Sequence, residues 1–387
     1  MALPVVHAYH SPTECPPDAS VGGLARGLRL EQPKLPLSTV RFAAPPDDAA
    51  RTTDVLLAEA SSPADLEVRH TAAGVREVRG FAPTRPLPAG TALARPGGTC
   101  LISGGTGGIA RHVARRMARA AQPDIVLFGR SPEGATQREF LAELAGLGSR
   151  AAYVQADVTR LEDVRRLVAT AEERFGTVTG VIHTAGVVED GLLITKTGDS
   201  VRRVLGPKFD GARNLDLATA DRPLDYLVLF SSTSAVLGSI GTTDYTAANA
   251  YMDSFAAWRD ELVARGERRG RSVAVNWPLW DDGGMRINPA VEAQVLESTG
   301  LVPLKTAHGL AALEAGLAHD GPQLAVFEGD RAKVERLLAV IWPERVRTAA
   351  PDDGAAPAMG LPRAAGSSQS WEWPARRTRS SRPNWRP

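Results

Sequence analysis

Four residues of this sequence have side chains and spacings suited to one piece of acid–base chemistry. Ser232 closes an apolar run, and Tyr245 follows 13 residues later at the start of a predicted helix. Asn249 stands four residues beyond the tyrosine, on the same helical face. Lys208 lies 37 residues before Tyr245, within Leu205-Gly206-Pro207-Lys208-Phe209-Asp210-Gly211. Hydride delivery to a carbonyl leaves an alkoxide that needs a proton and hydrogen-bond donors. A phenol with its ordinary pKa of about 10 becomes a better acid near neutrality when an ammonium stands beside it. Ser232 is then expected to hold the carbonyl oxygen and Tyr245 to give the proton, while Lys208 and Asn249 tune the tyrosine and its proton supply. Taken singly, each reads as structural: a strand-end serine as a cap, a lone tyrosine as packing.

A second group of residues suits an anion. The run Cys100-Leu101-Ile102-Ser103 leads at once into Gly104-Gly105-Thr106-Gly107-Gly108-Ile109-Ala110. Glycines let the backbone turn tightly from strand to helix and approach a pyrophosphate, which the helix N-terminal amides then face. The motif sits between a predicted strand and a predicted helix, as dinucleotide binding requires. The next strand ends at Phe128-Gly129-Arg130-Ser131. An acidic residue there would hold both ribose hydroxyls of NAD, whereas Arg130 can fork onto a 2′-phosphate, so NADP(H) is favoured. A third strand ends in Asp157-Val158, where the carboxylate either meets the adenine edge or caps the next helix.

The elements that must position these groups form an α/β alternation. Parallel strands are expected at Thr99–Ser103, Asp124–Phe128, Ala151–Ala156, Gly180–Thr184, Tyr226–Ser231 and Ser272–Trp277. Helices are expected from about Gly108 to Ala121, from Leu161 to Phe175, and from Tyr245 through Leu262. Strands apolar almost throughout, with helices between them, imply a Rossmann-type, doubly wound parallel sheet covered on both faces. Residues 96–342 form this unit. Residues 1–95 are rich in Pro and Ala, with short apolar segments such as Leu24–Leu30 and Val55–Leu57. Residues 343–387, ending in Ala-Arg-Arg-Thr-Arg-Ser-Ser-Arg-Pro-Asn-Trp-Arg-Pro, lack periodicity and are expected to be a disordered tail.

The bulk properties exclude other classes. The 387 residues are 43% hydrophobic and 23% charged, and 45 basic against 44 acidic residues leave a net charge of +1. No overall field draws such a chain to nucleic acid or to a membrane. No run of 18 apolar residues and no signal-peptide pattern occurs, so a cytoplasmic protein is expected. Cys15 and Cys100 fit no metal spacing, the seven histidines make no ligand cluster, and no metal is expected. Asp253-Ser254-Phe255 mimics the phosphopantetheine serine of a carrier protein, but it falls within the helix of Asn249 and is expected on its surface.

Together, Gly104–Ala110, His183-Thr184-Ala185-Gly186, Phe230-Ser231-Ser232 and Tyr245-Thr246-Ala247-Ala248-Asn249-Ala250 resemble the short-chain dehydrogenase/reductase superfamily. More specifically they resemble the ketoreductase domain of modular polyketide synthases. The usual short-chain enzyme carries Tyr-x-x-x-Lys; here Asn249 takes the lysine's place and the lysine is Lys208, the exchange that marks the polyketide-synthase branch. The resemblance extends over roughly residues 20–340. It includes Asn276-Trp277-Pro278-Leu279-Trp280 and Gly283-Gly284-Met285, which in the family close over the nicotinamide and lead into a substrate lid. The Asn-Trp-Pro-Leu-Trp form looks most like the trans-acyltransferase or iterative systems.

The resemblance implies NADPH as cofactor, held by Ser103 through Ile109, Arg130, Ser131, Asp157, Val158, Thr184, Ala185, Gly186, Tyr245, Lys208, Pro278 and Leu279. It implies a β-ketoacyl group on an acyl carrier protein as substrate, and other polyketide synthase domains as partners. Val188-Glu189-Asp190 stands where the family has Leu-Asp-Asp, whose last Asp marks B-type reductases that give the D-hydroxyl. A-type enzymes carry a tryptophan where this chain has Leu237. Asp190, Leu237 and Met285 are therefore the expected substrate and stereocontrol residues. Residues 21–80 look like the C-terminal portion of the family's structural subdomain, so a truncated subdomain is expected. Ser103 replaces a usual Thr, and Ala110 the last loop Gly. A free-standing carbonyl reductase and a non-reducing structural module are the competing readings.

Overall fold

A computed structural model describes residues 4–45, 48–61, 65–82, 84, 93–285 and 289–342. The expected tail, 343–387, lies outside the described residues.

The N-terminal residues form a sheet of their own. Strand β1 (Val5–His10) leads through helix α1 (Pro16–Glu31) to β2 (Leu37–Phe42), then α2 (Ala49–Ser61), β3 (Glu67–His70) and β4 (Arg76–Val78). The order is β1-β2-β3-β4, parallel except for the last pair. Leu24–Leu30 lies within α1 and Val55–Leu57 within α2. Local propensity argues against a helix over Gly22-Gly23 and Gly27. Tertiary contact overrides it: a Cβ at Gly23 would stand 2.5 Å from the Ala250 Cβ and 2.9 Å from the Thr246 carbonyl oxygen, so the glycines let α1 lie close against a later helix.

The second sheet runs β5 (Thr99–Ser103), α3 (Gly108–Ala121), β6 (Asp124–Gly129), α4 (Ala135–Gly146), β7 (Ala151–Gln155), α5 (Leu161–Phe175), β8 (Val178–His183), α6 (Gly198–Ala218) and β9 (Tyr226–Ser232). It continues through α7 (Ser234–Leu237), α8 (Thr243–Ala264), β10 (Arg271–Trp277), α9 (Pro289–Thr299), α10 (Thr306–Ala318), β11 (Gln323–Ala325) and α11 (Arg331–Ile341). The seven strands are all parallel, in the order β11-β10-β9-β8-β5-β6-β7. All six expected strands are present with ends displaced by at most two residues, as are the three expected helices. Strand β11, three residues long, carries no pattern a sequence reading could detect. Helix α6 was not expected because Gly206 and Pro207 interrupt it, and Pro207 has no N–H to offer the Arg203 carbonyl.

Each face of this sheet has its own core. Ile102, Val113, Met117, Leu127, Val275 and Leu313 pack on one side. Leu101, Val126, Leu167, Val181, Leu215 and Leu227 pack on the other. Each fully buried large aliphatic side chain stabilises the fold by about 1.5–3 kcal/mol relative to exposure. Because chain direction along the sheet reverses between β8 and β5, their C-terminal ends open a crevice at that point. One expectation fails here. Asp253, Ser254 and Phe255 are not helix surface but 3%, 1% and 2% exposed: Phe255 packs into the core on the sheet, and α1 covers the face of α8 that would otherwise meet solvent.

Candidate active site

The turn after β5 is shaped by its glycines. Gly104 has a φ of +63°. A Cβ on Gly105 would stand 2.6 Å from the Leu127 Cβ and 3.0 Å from the Phe128 nitrogen, so the turn can lie against β6 only as glycine. Thr106 and Gly107 are exposed, Gly108 and Ile109 half-buried, and Ala110 packs inward. No side chain caps α3, whose first-turn amides are left open toward the crevice.

Ser103 differs from the rest of this group. Its oxygen accepts from the Thr184 and Ala185 amides at 2.9 and 3.0 Å, and it lies 2.8 Å from His183 Nδ1. A hydroxyl has one donor and two acceptor sites, so the Ser103 side chain is fully committed to bracing β5 against β8. On the opposite flank, Gln155 Nε2 and the Tyr153 hydroxyl hold the Arg130 and Ser131 carbonyls, each at 2.8 Å. The Arg130 side chain is exposed, and no ion pair among the described residues engages it. Asp157 accepts from the Thr159 amide and hydroxyl at 2.9 and 2.8 Å, shaping the turn before α5 without capping it, since the N-cap residue is Arg160. Val158 is buried, and its carbonyl accepts from Asn214 Nδ2.

The segment after β10 reaches back to the glycine turn. Trp280, 2% exposed, is seated against Trp277, the Leu279 carbonyl accepts from the Leu304 amide at 2.7 Å, and Pro278 is half-buried between them. His112 Nε2 lies 2.9 Å from the Asp282 carbonyl. Gly283 then approaches Gly108 so closely that a Cβ on Gly108 would stand 2.7 Å from the Gly283 carbonyl carbon. Met285, half exposed, follows.

Three elements bring the four acid–base residues together. Ser232 ends β9, Lys208 lies on α6, and Tyr245 and Asn249 lie on the first turns of α8. Lys208 Nζ donates to the Phe230 carbonyl at 3.0 Å and stands 5.4 Å from the centroid of the Tyr245 ring. Burial pulls its pKa down to about 7, against the charge of Asp253. Burial raises the Tyr245 phenol, opposed by its hydrogen bonds with Asn249 and Ser232. Asn249, fully buried, donates from Nδ2 to the Tyr245 carbonyl at 2.7 Å and so also secures the helical turn beneath the phenol.

These observations coincide with the comparisons to known proteins. The description of the KR domain matches residues 98–282. Polyketide synthase PksN of Bacillus subtilis is 44% identical over 236 residues, 61% of this chain. Polyketide synthase ThaG of Burkholderia thailandensis is 40% identical over 267 residues, 68% of the chain. The chain spans only 4% and 5% of the lengths of those two synthases. Among solved structures, a ketoreductase domain from the bacillaene assembly line is 34% identical with a TM-score of 0.81, the match covering 87% of this chain and 80% of that one. An A-type ketoreductase from a modular polyketide synthase is 29% identical with a TM-score of 0.75, covering 89% of this chain and 72% of that one. The chain belongs to the polyketide synthase ketoreductase domains.

Within the ketoreductase domain, sequence reasoning passed over His183. The residue is fully buried at the end of β8, and its Nε2 lies 2.9 Å from the Pro207 carbonyl. A carbonyl only accepts, so Nε2 carries the proton and Nδ1 accepts from Ser103. Burial, with the nearby Lys208 charge adding to it, pushes the imidazole pKa down to about 3 and keeps the ring neutral. Ser103, His183 and Pro207 thus link the end of β5 to the residue before Lys208. The available signal was a polar residue ending an otherwise apolar strand. The three expected stereocontrol positions are dispersed. Asp190 is exposed on the loop after β8, Leu237 ends α7 next to α1, and Met285 follows the β10 segment.

Proposed function

We propose that this domain reduces the β-ketone of an acyl group carried as a thioester on the phosphopantetheine arm of an acyl carrier protein, giving the β-hydroxyacyl thioester. It works in the cytoplasm beside other polyketide synthase domains, with NADPH as reductant. The observation that carries this reading is the convergence of Lys208, Ser232, Tyr245 and Asn249 at the C-terminal end of the interior strand β9, on the same end of the sheet as the uncapped amides of α3.

The residues present fit the cofactor. A turn that admits no Cβ at Gly105, open helix amides and an exposed arginine beyond β6 match a pyrophosphate and a 2′-phosphate. Thr106 through Ile109 would hold the pyrophosphate, Arg130 and Ser131 the 2′-phosphate, Asp157 and Val158 the adenine. Thr184 through Gly186, with Pro278 and Leu279, would flank the nicotinamide. When bound, NADPH supplies the hydride. Tyr245 releases its phenolic proton to the carbonyl oxygen, and Ser232 donates a hydrogen bond to the same oxygen. The Lys208 ammonium near the ring favours the phenolate left behind. Asp190 guides entry of the arm, and the D-hydroxyl follows.

The test is NADPH oxidation with a diffusible β-ketoacyl thioester, followed by chiral chromatography of the product. Consumption of NADPH with a D-configured product is expected. No consumption would remove the reductase reading, and an L-configured product would remove the role of Asp190.

A further inference from the structure

The loop between β8 and α6 and the loop before α8 flank the catalytic tyrosine, and two charged side chains fasten them together. Lys196 Nζ lies 2.6 and 2.7 Å from the two oxygens of Asp244 and donates to the Glu189 carbonyl. The paired side chains are 4% and 1% exposed. Asp244 immediately precedes Tyr245, whose amide donates to its carboxylate at 2.9 Å. Lys196 therefore ties the main chain beside Asp190 to the first turn of the catalytic helix. An ion pair this dry is strongly destabilised when one partner alone is removed.

Glu31 fastens the same two loops from outside the catalytic sheet. It is the last residue of α1, in the N-terminal unit. Its carboxylate accepts from the Leu193 amide at 2.7 Å on one loop, and from the Gly241 amide at 3.0 Å and the Thr243 hydroxyl at 2.6 Å on the other. A direct main-chain bond, Gly191 amide to Gly241 carbonyl at 2.9 Å, joins the loops between these points. The lip held in this way carries exposed apolar side chains: Leu192 is 40% exposed, Ile194 76% and Ile240 66%. Fixed apolar groups at the mouth of the site suit contact with an acyl chain.

We propose that Lys196 and Glu31 are positioning residues that register the Asp190 loop against the Tyr245 helix, and so decide which face of the ketone is turned toward the hydride. This inference rests on the reductase reading above. It gives the N-terminal unit a part in stereochemical outcome, although that unit supplies none of the reacting groups.

The test compares wild type with Glu31→Gln, Lys196→Met and the double variant Lys196→Met/Asp244→Asn, which removes the pair without stranding a buried charge. Three quantities are read in the full chain: NADPH affinity by fluorescence, the enantiomeric ratio of the reduced thioester, and amide hydrogen exchange over residues 189–196. Affinity within about twofold of wild type is expected, since none of the three residues is placed against the cofactor. The minor enantiomer should rise at least tenfold in Glu31→Gln and in the double variant, with exchange of the Gly191 and Leu193 amides faster by at least tenfold. An unchanged enantiomeric ratio in variants whose loop exchange has accelerated would overturn the proposal, as would unchanged exchange. A wild-type chain that oxidises no NADPH would instead remove the reductase reading, and the stereochemical role with it.

Discussion

The two walls of the cleft are built on different physical principles. The cofactor wall is made of main chain: glycines that permit close approach, and amides that no side chain caps. Its centre, the glycine turn, lies within one strand–turn–helix and is set largely by local geometry. The opposite wall, around Asp190 and Tyr245, is held by carboxylate and ammonium groups from Glu31, Lys196 and Asp244. Those groups come from distant parts of the chain, and their partners are known only once the two sheets have packed. A wall made of backbone is robust to most side-chain changes but intolerant of an added methyl. A wall held by buried charges reverses that sensitivity.

The sharpest way to break this comparison is at the tyrosine of the second wall. Tyr245→Phe removes the transferable proton but keeps the ring, so kcat is expected to fall by about 10²–10⁴-fold while NADPH affinity stays near wild type. Stopped-flow reduction and fluorescence titration check the two halves of that statement, and wild-type turnover would exclude Tyr245 as the acid.

On the cofactor wall, Gly105→Ala forces a methyl onto Leu127 and the Phe128 backbone. NADPH affinity is expected to drop by at least tenfold with the secondary structure retained, a combination that titration and circular dichroism would reveal. Arg130→Ala should act more selectively on the same wall. Losing a charge-assisted bond of about 1.5–3 kcal/mol corresponds to a roughly 10- to 150-fold loss in kcat/KM for NADPH, with little change for NADH. Equal losses with both cofactors would show that Arg130 does not read the 2′-phosphate.

The smallest effect concerns pH, and it separates the needs of activity from those of stability. Lys208 has a pKa of about 7 in the fold against 10.5 when unperturbed. Its ammonium is present below about 7, so kcat/KM for reduction should decline as pH rises through that value. Its effect on stability has the opposite sign. Between about 7 and 10.5 the unfolded chain binds more protons than the folded one, so stability rises with pH across this window and is lost as pH falls through 7. Lys208→Met should therefore remove the part of the pH dependence of both quantities that lies between about 7 and 10.5 and belongs to this lysine, and raise Tm at pH 6 by a few degrees, as calorimetry would show.

The legibility of the site followed the same division. The turn Gly104–Gly108 and the tyrosine helix were readable because their residues are contiguous and their periodicity is local. Helix α1 and helix α6 were not, since Gly23 and Pro207 argue locally against the structures that packing imposes. Motif position says nothing about where the Ser103 hydroxyl points, and its three hydrogen-bonding sites are satisfied by residues 80 or more positions away. Asp253 and Ser254 were read as surface because no sequence signal announces that α1 will cover them.

The sequence by itself determined the parallel sheet, the glycine turn between its first strand and helix, and the spacing that singles out Lys208, Ser232, Tyr245 and Asn249. Strand period, helix period and motif spacing are short-range properties, and side-chain type dictates what a phenol, an ammonium or an open amide can do. Only the tertiary structure decided that Glu31 of one sheet would reach the loops of the other, that Lys196 would find Asp244 in a dry interior, and that His183 would stand neutral between Ser103 and Pro207. Those pairings depend on how helices cross and which groups lose water together, and these follow from packing the whole chain rather than from any one segment of it.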